Sequence, residues 1–80
     1  MPQTAEAITA LLQEGIRHWQ EGRLGLAKKS FHHILEVEPR QAKALFFLGL
    51  MADQANQTEA AKSLLQQAIG IAPVFKTADK

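Results

Sequence analysis

The sequence predicts an all-α fold, an α-α superhelix of four helices in two antiparallel helix–turn–helix pairs. Three observations lead there. Ala and Leu are frequent while Val, Thr and aromatics are few and Tyr is absent, a balance that favours helices over strands. The chain repeats itself: AKKSFHHILEVEP at 27–39 returns as AKSLLQQAIGIAP at 61–73, 34 residues on. A proline closes each phrase, Pro39 and Pro73, and proline disfavours the α conformation in the residue ahead of it.

The first helix is marked by Ile8, Leu11, Leu12, Gly15, Ile16 and Trp19 at helical spacing. Thr4 is the expected cap, which adds a turn through Ala7. Glu21-Gly22-Arg23 supplies the turn. The second helix follows, with Leu24, Ala27, Phe31, Ile34 and Leu35 on one face. The third is marked by Leu45, Phe46, Leu48, Gly49, Leu50 and Ala52, and ends at Asn56-Gln57. Thr58 is the expected N-cap of the fourth, with Glu59 in its first turn and Leu64, Leu65, Ala68 and Ile69 on its apolar face.

The repeat extends well beyond the quoted phrase. At the same offset Ala10 pairs with Ala44, Leu11 with Leu45, Gly15 with Gly49, Gln20 with Gln54 and Ala27 with Ala61. Phe31 pairs with Leu65, Leu35 with Ile69, and Gly22 with Asn56, the two residue types that best tolerate a positive φ in a turn. The division that follows is an extension at 1–7, joined to the first helix, repeats at 8–41 and 42–75, and a tail at 76–80.

A 34-residue helix–turn–helix period with these small residues resembles the tetratricopeptide repeat. The family's small eighth, alanine twentieth, large apolar twenty-fourth, small twenty-seventh and proline thirty-second positions fall on Gly15, Ala27, Phe31, Ile34 and Pro39, then on Gly49, Ala61, Leu65, Ala68 and Pro73. Leu11 and Leu45 occupy the large fourth position, and three features depart from the pattern: His18 and Ala52 stand at the aromatic eleventh position, Glu14 at a usual leucine and Ile34 at a usual small residue. Gly15 and Gly49 are expected to let the two helices of each pair approach closely, with Phe31 and Leu65 filling the space between.

The resemblance implies a non-catalytic scaffold for protein binding whose first helices line a concave groove. By repeat position that groove holds Thr9, Leu12, Ile16 and Trp19, then Lys43, Phe46, Leu50 and Asp53, an apolar stripe suited to a peptide or a partner helix, with packing inside the pair of repeats an equal alternative for Leu12 and Phe46. Repeat domains that clamp acidic chaperone tails use Lys and Asn where this chain has Leu12 and Ile16, and apolar side chains do not bind a carboxylate. An array also needs a helix over its last helix. Leu64, Leu65, Ile69, Val74 and Phe75 are therefore expected to form an exposed terminal face. Either a longer protein continues beyond it or two copies cover each other as a homo-oligomer, here a homodimer. A second function class is an N-terminal accessory segment of a larger enzyme, as repeats of this family precede catalytic domains in bacterial glycosyltransferases, sulfotransferases and hydroxylases.

Other chemistries lack their residues. Net charge is +1 with scattered Lys and Arg, which argues against nucleic acid as a partner. Without cysteine no thiolate metal site can form. His32 and His33 are adjacent on a helix and point about 100° apart, not at the i, i+4 spacing of paired metal ligands. They stand where the second repeat has Gln66 and Gln67, and read as a polar face with a Lys28–His32–Glu36 ladder. No metal or other cofactor is expected, and no membrane partner. Ser30 and Ser63 lack a nucleophile elbow, and no glycine-rich phosphate loop occurs. The N-terminus carries no secretory signal and no apolar run reaches the roughly 20 residues of a membrane span. A cytoplasmic location is the expectation.

Overall fold

Gly22 and Asn56, 34 residues apart, both take positive φ, at 82° and 64°. Around them the backbone repeats bond for bond. Arg23 N–H donates to His18 O at 2.7 Å and Gly22 N–H to Trp19 O at 3.1 Å. Gln57 N–H donates to Ala52 O at 2.9 Å and Asn56 N–H to Asp53 O at 3.0 Å. These are two copies of one left-handed helix cap, which satisfies carbonyls that a helix end leaves open. The far ends match as well. Glu38 and Ala72, each ahead of a proline, sit at φ −139° and −133°, as the proline ring requires.

Replacing Gly22 with alanine puts a Cβ on a left-handed residue and is expected to cost about 1–2 kcal/mol. Asn56→Gly should change stability by only tenths of that. Thermal unfolding measures both, and a loss in Gly22→Ala no larger than in Asn56→Gly contradicts this account of the turn.

The computed structural model describes residues 2–73. It contains helices α1 (Pro2–Gln20), α2 (Leu24–Val37), α3 (Ala42–Gln54) and α4 (Thr58–Ile71), and no strand among the described residues. α1 packs on α2, α3 on α4, and α2 on α3, so the two pairs stack as an all-α helical repeat.

Several local expectations need correction. α1 begins at Pro2, so Thr4 lies inside the helix and does not cap it. Proline suits the first helical position because its φ is preset and its missing N–H would have no partner there. α4 begins at Thr58 with Gln57 as the cap residue, and no side chain caps it. The left-handed turn at Asn56 delivers the chain into the helix one residue early. At the start of α3, by contrast, Gln41 Oε1 accepts from Lys43 N–H at 3.3 Å.

The core lies between the pairs. Ile8, Leu12, Ala27, Phe31, Ile34, Ala44 and Leu48 form one buried cluster, with Phe31 and Ile34 at 0% exposure. The larger Ile34 at a usually small position is accommodated in this cluster, where Ala44 presents little bulk. Leu24, expected on the apolar face, is instead 50% exposed. It sits in the first turn of α2, where the second repeat carries Thr58. Glu14 is exposed, as suits a face of α1 that no described helix covers.

Candidate functional site

The seam between α1 and α3 is built on aromatic rings. A Cβ added to Gly15 would lie 2.7 Å from Phe31 Cε1, so only glycine lets α1 sit this close to the Phe31 ring. Phe31 stacks on Phe47 with centroids 5.6 Å apart and planes at 12°. Phe47 in turn meets the edge of Trp19 at 5.6 Å and 75°. The Trp19 indole N–H donates to Gln54 Oε1 at 3.1 Å. Three helices are thereby tied together, and Trp19 is held in one orientation by a packed edge and a hydrogen bond.

The eight residues expected to line a groove divide into three groups. Leu12 is buried in the core cluster at 9% exposure. Ile16, Trp19, Phe46 and Leu50 are half-buried, and Ile16 and Trp19 pack against the core. Phe46 also meets its neighbour Phe47 edge-on at 5.8 Å and 69°. Thr9, Lys43 and Asp53 are exposed. Thr9, Leu12 and Lys43 come together around a cavity of about 260 Å³, with Ile8, Glu38 and Gln41.

Phe47 and Gln54 are the residues that reading along the helix missed. Phe47 pairs at the repeat offset with Gln13, which is exposed, so the internal repeat gave no signal for it. The expected terminal face is only partly open: Leu64, Leu65 and Ile69 are half-buried, and Leu64 packs against the core cluster. Val74 and Phe75 lie outside the described residues.

His32 and His33 are not equivalent. Both are exposed, but His33 Nδ1 lies 3.9 Å from Glu36 Oε1, whereas His32 lines a second cavity of about 380 Å³ between α2, α3 and α4. The expected ladder through His32 to Glu36 is thus replaced by the His33–Glu36 pair, because Glu36 turns toward its i−3 neighbour. None of the eight groove residues lines this second cavity. No described helix is long and apolar enough to cross a membrane.

Residues 42–75 match the family model of the tetratricopeptide repeat. No curated protein and no solved structure matches the chain. The matched segment is the α3–α4 pair, and its turn and proline-bounded end are reproduced by α1–α2 at a constant offset. Residues 42–75 are therefore a tetratricopeptide-type repeat, set in an all-α chain whose first helix pair repeats the same turn and proline-bounded end.

Proposed function

We propose that this chain is a non-catalytic binding module that receives an amphipathic peptide or partner helix on its α1/α3 side. Tetratricopeptide repeats generally bind proteins or peptides. The observation that carries the reading here is Trp19. It is half-buried, fixed by Gln54 and Phe47, and followed along the same side by Ile16, Phe46 and Leu50, all partly open to solvent. A rigid aromatic anchor loses little side-chain entropy on binding, and such anchors dominate the energetics of interfaces.

Charge refines the partner. Lys43 stands near the start of α3 and Asp53 near its end, roughly 15 Å apart at 1.5 Å per residue. A partner segment with apolar anchors, an acidic group toward Lys43 and a basic one toward Asp53 fits this arrangement.

Titrating peptides of that pattern should move Trp19 fluorescence saturably. Ile16→Asp should weaken the same binding by roughly tenfold, a loss of about 1.4 kcal/mol. Peptide that binds with Trp19 emission unmoved and with Ile16→Asp unaffected would place the partner elsewhere.

A further inference from the structure

The cavity between α2, α3 and α4 has a composition the peptide groove lacks. Its apolar wall comes from Leu48, Met51, Ala52 and Leu64, with the half-exposed Leu24 at its edge. Its charged or ionisable lining residues are Lys28 and His32, one helical turn apart on α2, and no Asp or Glu lines it. Both are exposed, so ammonium and imidazole are accessible at the mouth. A volume of about 380 Å³ is at the small end of ligand sites, which run from roughly 300 to 1,000 Å³. Met51 is half-buried, and its flexible thioether adapts to apolar guests of varied shape.

We infer that this cavity is a binding site for a small amphiphilic acid, a medium-chain carboxylate whose chain lies along Met51 and Leu64 and whose carboxylate meets Lys28 and His32. An apolar body is favoured by the wall, and a single anion by two donors with no competing carboxylate. A carboxylate accepts a charge-assisted hydrogen bond from the Lys28 ammonium, and the His32 ring offers an N–H in either protonation state. A cationic or neutral amphiphile of equal length has the same apolar contacts without these bonds. The site also adjoins the peptide groove through one residue. Gln54 lines the cavity and accepts the Trp19 indole N–H, so an occupant that draws Gln54 inward alters the setting of Trp19.

The test is methyl NMR of the whole chain titrated with decanoate, decanol and decylammonium. Decanoate should shift the Met51 and Leu64 methyls saturably and leave those of Ile16 and Leu50 unmoved. Decanol and decylammonium should bind about tenfold more weakly or worse, the size expected for one charge-assisted hydrogen bond. Lys28→Glu should weaken decanoate by at least that factor. Ala60→Phe, at an exposed position on the cavity wall, should block binding with the helical circular dichroism unchanged. Equal affinity for the three amphiphiles overturns the inference. So does decanoate binding that survives Lys28→Glu, or shifts that appear at the Ile16 and Leu50 methyls in place of Met51 and Leu64. A peptide ending in an apolar residue that shifts Met51 and Leu64 where decanoate does not would assign the cavity to a chain terminus and overturn the small-acid assignment.

Discussion

Phe31→Ala is expected to lower the unfolding free energy by about 3–5 kcal/mol. A domain of this length has roughly 4–12 kcal/mol in total, so the variant should stand near the limit of folding. The size follows from position. Phe31 is fully buried, faces Gly15 across the α1–α2 contact and stacks on Phe47 of α3. Truncation removes the apolar burial, leaves a void and releases the edge that orients Trp19. Its repeat counterpart Leu65 is half-buried, so Leu65→Ala should cost about half as much or less. Urea unfolding at 25 °C measures both midpoints. Equal losses would mean that the aromatic seam has no special weight in the fold.

The repeat made this contact legible. Once Gly15 and Gly49, and Phe31 and Leu65, are aligned 34 residues apart, a close helix pair needs a large side chain opposite each glycine. A Cβ on Gly49 would lie 2.8 Å from Leu65 Cδ2, almost the same approach as in the first pair. The turns were legible for the same reason. Gly and Asn both tolerate positive φ, and their alignment marks one cap used twice.

What resisted reading are residues whose surroundings differ between the two pairs. Ala44, Phe47, Leu48 and Met51 of α3 align with Ala10, Gln13, Glu14 and Arg17 of α1. The first set faces the preceding pair and the second faces solvent. Self-comparison averages such positions away, so Phe47 was missed. Leu24 erred in the opposite direction. Hydrophobic spacing placed it in the core, whereas its counterpart Thr58 already signalled a solvent-facing turn. Repeat position leaves Leu12 equally suited to the groove and to the interior, and its side chain is buried with Ile8 and Ile34. The cavity at His32 depends on three helices at once, and no pattern along a single helix contains it.

The contact between Gly15 and Phe31 also supports a stricter test, in which one substitution changes sign with its background. Gly15→Val alone is expected to cost about 3 kcal/mol. Its Cβ would fall within 2.7–3.2 Å of three ring carbons of a residue that is 0% exposed. The ring has no room to yield, because Phe47 stacks on it. In the Phe31→Ala background the same valine should be neutral or stabilise by up to about 1 kcal/mol, since its methyls enter the vacated space. The coupling energy of the double-mutant cycle is then about 3–4 kcal/mol, at or just above the upper end for residues in direct contact. Urea midpoints with unchanged m-values provide the four numbers. Strict additivity would show that Gly15 is needed for some other reason, such as the path of α1, and would remove the steric account of why the first pair of helices packs so closely.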